Sequence, residues 1–177
     1  MILFAYYNRY MDYLCHYHSP LGDLTLASDG EALIGLWFDG QKYYADTLQE
    51  EYDEAELPVF ADAIRWLDAY FDGQIPSFVP EFHFRTSTFR QRVWQILLTI
   101  PYGKTTTYHE IARIIAKERG VEKMSAQAVG NAVGHNPISL IIPCHRVIGS
   151  DGSLTGYAGG LDRKQKLLAW EKAVLSG

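Results

Sequence analysis

The sequence predicts an α/β N-terminal region, built on a small antiparallel sheet and one helix, followed by a mostly α-helical region that contains a helix-turn-helix. Three observations carry this. Apolar residues alternate with a period of two over residues 13–40 and are broken by tight turn signals. After Pro80 the apolar spacing becomes helical, with hydroxyl residues where helices would begin. Between the two lies Gly73 to Pro80, a stretch with two prolines that reads as a linker. The expected units are therefore residues 1–80 and 81–177. The chain has 177 residues, of which 47% are apolar and 21% charged, enough for one domain or two small ones with a sizeable core, and this excludes wholesale disorder.

In order along the chain, Met1–Tyr7 is apolar but stops at Asn8, Arg9 and Asp12, too short for a membrane span and without a basic leader. Residues 1–12 read as an extension, an extra strand or a packing tail. Tyr13, Cys15 and Tyr17 alternate with Leu14, His16 and His18. Ser19-Pro20-Leu21-Gly22 turns the chain, Leu24 and Leu26 continue the alternation, Ser28-Asp29-Gly30 turns it again, and Leu33–Phe38 is a third strand, giving an antiparallel meander. Residues 41–56 are polar and acidic. Pro58 opens a helix with Phe60, Ile64, Leu67 and Phe71 on one face.

Thr88 is the expected N-cap of a second helix carrying Phe89, Val93, Trp94, Leu97 and Leu98. Ile100-Pro101-Tyr102-Gly103 ends it. Thr107 caps a third helix with Tyr108, Ile111, Ala112 and Ile115 as its stripe, and Gly120 stops it. Ser125 caps a fourth, Ala126 to His135; helix, short turn, helix is the helix-turn-helix shape. Leu140 to Ile142 is a short apolar run before Pro143, and Asp162 opens a last helix to about Leu175.

The formal charge of −5 taken whole argues against a nucleic-acid partner. Split at the linker it reads differently. Residues 1–84 hold 3 Lys/Arg against 15 Asp/Glu, net −12, and residues 85–177 hold 13 against 6, net +7. Two cysteines, Cys15 and Cys144, make no disulfide framework, which favours a reduced, cytoplasmic setting. Cys15, His16, His18 and His83 do not assemble four zinc ligands, and there is no Cys-x-x-Cys, so no metal is expected.

Cys144 sits in Leu140-Ile141-Ile142-Pro143-Cys144-His145-Arg146-Val147. Positive neighbours such as His145 and Arg146 lower a thiol's pKa and make it nucleophilic. In an extended segment adjacent side chains diverge, so His145 would reach the thiol through a bridging water. A cysteine after an apolar run is, on adjacency alone, more often a small buried hydrophobe. Glu171 shares a helix face with Leu167, Leu168, Val174 and Leu175, where a carboxylate is costly unless paired. A histidine N–H is a natural partner, as is an Arg or Lys, and solvent at the stripe edge is the third option.

The helix from Ala126 is rich in small residues, and Gln127, Gly130, Asn131 and Gly134 would form a low polar face that admits close approach, to a partner or to another helix. Phosphate contacts would then fall to Arg85, Arg90, Arg92, Lys104, Arg113, Lys117, Lys123 and Arg163, a set that also reads as a solvated face. Gly156-Tyr157-Ala158-Gly159-Gly160 is a flexible loop with a central aromatic, suited to a pocket wall or a plain turn.

At Pro143-Cys144-His145-Arg146-Val147 the chain resembles the O6-alkylguanine-DNA alkyltransferases (methylated-DNA–protein-cysteine methyltransferases). The likeness extends to Asn136-Pro137-Ile138, Gly156-Tyr157-x-Gly159-Gly160 and Leu167-Leu168-x-x-Glu171. It also takes in Phe89-x-x-x-Val93-Trp94, Ile100-Pro101-Tyr102-Gly103-Lys104-Thr105, Tyr108, Ser19-Pro20-Leu21-Gly22 and Gly35-Leu36-Trp37-Phe38, and so covers roughly residues 14–175. The resemblance implies a ribonuclease H-like α/β domain, then a winged-helix-like domain whose helix-turn-helix enters the minor groove of duplex DNA and flips the damaged guanine.

It implies further that Cys144 takes the alkyl group from O6-alkylguanine, and from O4-alkylthymine, irreversibly and once. Glu171, His145 and a water would ionise the thiol. Tyr108 would polarise the departing guanine and help rotate the nucleotide, and Asn136 would hold the turn presenting the cysteine. Tyr157, Ala158, Val147 and Ser139 would line the base pocket. Ser125, Ala126, Gln127, Gly130, Asn131, Arg90, Lys104 and Thr105 would meet DNA. No cofactor and no membrane are implied, and the protein would act as a monomer. Two positions depart from the family pattern: Gln127 stands where an arginine usually fills the vacated duplex space, and Ser139 where some members have proline. A lesion-flipping binder, a Cys-His hydrolase and a helix-turn-helix regulator are the competing functions, and the first and last have no need of Cys144, His145 and Glu171 in register.

Overall fold

The computed structural model describes residues 11–177. The expected extension over residues 1–12 therefore lies outside the described residues, apart from its last two. Strands β1 (Asp12–Ser19), β2 (Gly22–Ser28) and β3 (Leu33–Phe38) form the antiparallel meander, with Tyr13 opposite Ser28 and Leu24 opposite Phe38. The acidic stretch 41–56 contributes one element that its polarity conceals: β4 (Tyr52–Glu54) pairs parallel with β1, so the sheet is mixed, in the order β3-β2-β1-β4. An exposed edge strand needs little apolar patterning, because backbone hydrogen bonds alone recruit it.

Helix α1 (Pro58–Phe71) starts on its proline and buries Phe60, Ala63, Trp66, Leu67 and Tyr70. Helix α2 (Thr88–Leu97) is capped one residue earlier than expected. The Ser87 hydroxyl accepts from the Arg90 N–H and Thr88 is the first helical residue. A two-residue strand β5 (Thr106–Thr107) leads into α3 (Tyr108–Arg119), capped by Thr107 and stopped by Gly120 in the left-handed region, and α4 (Ala126–Gly134) is capped by Ser125. The α2 and α4 helices are tied by the Trp94 indole donating to the Ala132 carbonyl at 2.8 Å. A single 3-10 turn at Cys144–Arg146 is followed by β6 (Val147–Ile148), which pairs with β5, and by α5 (Leu161–Ser176). Helix α5 begins at Leu161 rather than Asp162, on Gly160.

The outer edge of β3 is closed by the C-terminal half. Leu33 donates to the Glu81 carbonyl and accepts from His83. Leu36 donates to Pro137 and accepts from Ser139, both at 2.8 Å. The segment entering the cysteine turn is thereby docked on the N-terminal sheet, and one apolar core runs from Leu24 and Phe60 through Trp94 and Ile111 to Ile142 and Leu167.

Candidate active site

Cys144 is 4% exposed, at the start of the 3-10 turn. The turn replaces the extended geometry expected for residues 144–146, because Pro143 and the Arg146 N–H donating to its carbonyl at 3.0 Å wind the chain. Just upstream, Leu140 holds φ at 68°, a left-handed conformation that a branched residue adopts only under constraint. Asn136 supplies that constraint. Its amide donates to the carbonyls of Ile138 and Ile142 (3.3 and 2.8 Å), and its oxygen accepts from the Ile138 N–H at 3.0 Å.

His145 and Glu171 are both 0% exposed, and the His145 Nε2 lies 2.6 Å from Glu171 Oε1. A carboxylate accepts, so the proton is on Nε2 and Nδ1 carries the lone pair; Nδ1 is buried with no hydrogen-bond partner among the described residues. Arg146 also serves Glu171, donating through Nε to Oε2 and Nη2 to Oε1, both at 2.9 Å, and through Nη1 to the Ile100 carbonyl. The Gly103 N–H donates to Oε2 at 3.0 Å and the Tyr70 hydroxyl to Oε1 at 2.9 Å. Gly103 has to be glycine: its φ is 71°, and a Cβ there would lie 2.2 Å from a Leu175 methyl.

Burial by itself would raise the Glu171 carboxyl, but the hydrogen bonds and charges of His145 and Arg146 outweigh it and hold the group at about 2. Burial lowers His145, against the pull of Glu171. Burial also raises the Cys144 thiol, opposed only in part by nearby Asn136, the Lys164 charge and the backbone N–H groups of Cys144 and His145. This corrects the expectation that His145 and Arg146 lower it: Arg146 is spent on Glu171. The thiol is neutral at rest and needs a base to ionise it.

A cavity of about 800 Å³ opens beside this centre, lined by Tyr108, Ala126, Gln127, Gly130, Asn131, Tyr157 and Ala158, with Lys42 and Tyr43 from the N-terminal half. Cys144 is not itself in the lining but lies near two residues that are, Tyr108 and Tyr157. Tyr108 donates to the Thr155 carbonyl at 2.8 Å, bridging α3 to the 156–160 loop. Of the residues expected around a base, Tyr157 and Ala158 line the cavity. Val147 is fully buried, and the Ser139 hydroxyl bonds Gln41 at 3.2 Å; neither of these two is in the lining.

Of those expected at a DNA face, Ala126, Gln127, Gly130 and Asn131 share the cavity rim. Arg90 reaches Asn131 at 3.5 Å, and Ser125 is occupied as the α4 cap. Lys104 and Thr105 are exposed on the turn after Gly103, outside the lining. Several expected phosphate ligands are already paired: Arg85 with Asp12, Arg92 with Glu118, Arg113 with Glu110, while Arg163 bonds the Leu21 and Gly159 carbonyls.

Sequence reasoning missed Lys164, fully buried with its ammonium on the Val147 and Thr155 carbonyls and lowered by burial to about 8. Its signal was available: it lies three residues before Leu167 and seven before Glu171, on the same face. Tyr43 was missed too. It stacks on His135 at 3.8 Å with φ at 58°, and nothing local in the acidic stretch foretells it. Among the described residues no group of three or more His, Cys, Asp or Glu could hold a metal ion.

Two family models match the chain, the ribonuclease-like domain of 6-O-methylguanine DNA methyltransferase over residues 12–79 and its DNA binding domain over residues 88–173. The methylated-DNA--protein-cysteine methyltransferase of Mycobacterium tuberculosis is 45% identical over 163 residues, 90% of this chain and 94% of its own. That of Haemophilus influenzae is 41% identical over 165 residues, 90% and 86%. The crystal structure of Mycobacterium tuberculosis OGT in complex with DNA superposes with a TM-score of 0.78 at 43% identity, covering 93% of this chain and 94% of that one. With both halves matched in order over a shared fold, the chain belongs to the 6-O-methylguanine DNA methyltransferase family.

Proposed function

We propose that this protein repairs duplex DNA by moving the alkyl group of O6-alkylguanine, and of O4-alkylthymine, onto its own Cys144, once per molecule. The observation that carries it is the buried Glu171–His145 pair, with an unpartnered His145 Nδ1, adjacent in the chain to the buried, neutral thiol of Cys144 and near a cavity rimmed by the helix-turn-helix. The similar chains of Mycobacterium tuberculosis and Haemophilus influenzae are methylated-DNA--protein-cysteine methyltransferases, which supports the same reaction.

The chemistry balances as a proton and alkyl exchange. The flipped nucleotide enters the cavity between Tyr108 and the 156–160 loop. His145 Nδ1, through a water, takes the thiol proton. The sulfur attacks the alkyl carbon, the S–C bond forms as the C–O6 bond breaks, and the electron pair stays on the guanine. The proton held by His145 is returned to the base by way of Tyr108, leaving guanine and a thioether. Glu171 stabilises the imidazolium that forms. Asn136 holds the turn that presents the sulfur. Tyr157 and Ala158 flank the base, with Val147 and Ser139 supporting the wall from behind. Ala126, Gln127, Gly130 and Asn131 face the minor groove with Ser125, while Arg90, Lys104 and Thr105 meet the backbone, and Gln127 fills the space the base leaves. No step calls on a cofactor.

On this proposal residues 81–177 carry DNA binding and chemistry, and residues 1–80 turn their acidic surface away from DNA. The site of action is the cytoplasm and the working form a monomer. No helix among the described residues is long and apolar enough to cross a membrane. The test is stoichiometry. With excess duplex carrying O6-methylguanine labelled in the methyl group, label on protein should plateau at one per chain. Release of labelled methanol beyond one equivalent would instead identify a hydrolase.

A further inference from the structure

Glu171 takes five hydrogen bonds, and four come from Gly103, His145 and Arg146, around the cysteine turn. The fifth comes from across the molecule. Tyr70, on α1 and 101 residues upstream, donates its hydroxyl to Glu171 Oε1 at 2.9 Å. It is fully buried. Its ring stacks on Trp66 at 5.3 Å and meets Phe71 and Tyr102 edge-on, so the hydroxyl has one direction to point. Its backbone carbonyl accepts the Trp170 indole N–H at 3.1 Å, which fastens α1 to α5 at the residue beside Glu171.

The oxygen that Tyr70 serves is the one that holds the His145 Nε2 proton. A carboxylate oxygen given a further donor has less negative charge to offer the imidazole, and it is also less free to rotate. Burial and the adjoining Glu171 charge keep the Tyr70 phenol protonated, so it is a donor throughout the working pH range.

We propose that Tyr70 is a positioning residue for alkyl transfer: its hydroxyl, delivered by the ribonuclease-like half, fixes the Glu171 carboxylate against His145 and limits how tightly the imidazole holds a proton. This rests on the alkyl-transfer function proposed above. It gives the acidic half a chemical part in a reaction otherwise carried by residues 81–177. The charged and titratable groups facing the His145–Glu171 pair are Tyr70 from α1, Tyr102 from the turn before β5, Cys144 and Arg146 from the 3-10 turn, Tyr157 from the following loop, and Lys164 from α5. Of the three tyrosines only Tyr70 has its hydroxyl on the carboxylate; those of Tyr102 and Tyr157 are buried without a partner among the described residues.

The test is the pH dependence of single-turnover transfer from an O6-methylguanine duplex, whose acid limb reports loss of the proton from His145. Tyr70→Phe keeps the ring and removes the donor. Oε1 then draws on the imidazole more strongly, the imidazolium persists to higher pH, and the acid limb should move up by on the order of half a pH unit. Tyr102→Phe removes a hydroxyl from the same cluster without touching Glu171 and should leave the limb in place. Site-specific 3-fluorotyrosine at position 70 keeps the packing and donates more strongly, so it should move the limb down, and it decides the question if Tyr70→Phe fails to fold. A limb unmoved by both changes at position 70, or moved equally by Tyr102→Phe, overturns the proposal and leaves Tyr70 as packing. Failure of the unaltered protein to transfer any methyl group removes the alkyl-transfer function itself, a result separate from either.

Discussion

The protein buries two carboxylates against arginine, and the two centres differ in one respect that matters. Asp12, at the start of β1, takes both Nη groups of Arg85 at 2.8 Å and the Gln49 N–H at the same distance. Glu171 takes Arg146 in the same two-pronged manner but adds His145, whose other nitrogen is left with a lone pair and no partner. The first centre is closed: every donor ends on a carboxylate or a carbonyl, and nothing titratable near neutrality is exposed to a substrate. The second is open at one atom. Both join the two halves of the chain, Asp12 to Arg85 and Tyr70 to Glu171, so fastening the halves together does not by itself mark a reactive centre. What distinguishes the second is a buried imidazole held by the fixed carboxylate, one residue along the chain from a buried thiol.

Breaking each centre should therefore give different losses. The largest belongs to Glu171→Gln, which keeps the shape but cannot stabilise an imidazolium. Single-turnover methyl transfer should fall roughly 10²–10⁴-fold. A loss under tenfold in folded protein would mean that Glu171 only holds Arg146. Asp12→Asn should cost on the order of 3 kcal/mol of stability in urea unfolding, because it leaves Arg85 without its counter-charge. Transfer per folded molecule should be unchanged, and a slowed rate with intact stability would erase the distinction between the centres.

Acid sharpens the contrast more gently. The Glu171 carboxyl is held at about 2, below the usual carboxylate range, so its pairing contributes stability that is fully present above about 4.5 and is lost as pH falls towards 2. Unfolding followed over that window should show this loss in the unaltered protein and less of it in Glu171→Gln; identical acid curves would count against the pairing. The smallest effect lies at the rim. Gln127 is exposed on α4, and Gln127→Ala should slow repair of duplex about tenfold, a part of the few kcal/mol of unstacking, without slowing reaction with free O6-benzylguanine. Equal slowing on both substrates would remove its gap-filling part.

Much of this was legible in the chain. Helical stripes and hydroxyl caps marked α3 and α4 correctly, and at α2 only the choice between Ser87 and Thr88 went astray, since either hydroxyl can cap. Glu171 announced itself as a carboxylate on an apolar stripe, and the two partners considered for it, histidine and arginine, both serve it. What was hidden depends on long-range pairing. The β4 strand has no apolar pattern because its only claim on the sheet is backbone hydrogen bonding to β1. Arg146 read as a charge for Cys144 because adjacency in sequence says nothing of where a guanidinium ends. Tyr70 fell outside the expected helix face of Phe60, Ile64, Leu67 and Phe71, and its hydroxyl's partner lies 101 residues away. The net charge of −5 pointed away from DNA only until the halves were counted separately.

The measurement that bears most directly on the account is a peptide mass map of the protein after it has met one equivalent of O6-methylguanine duplex. The mass of one added methylene is expected on the peptide carrying Cys144 and none on the peptide carrying Cys15, with unaltered guanine left in the DNA. Repaired DNA with Cys144 unmodified would contradict it.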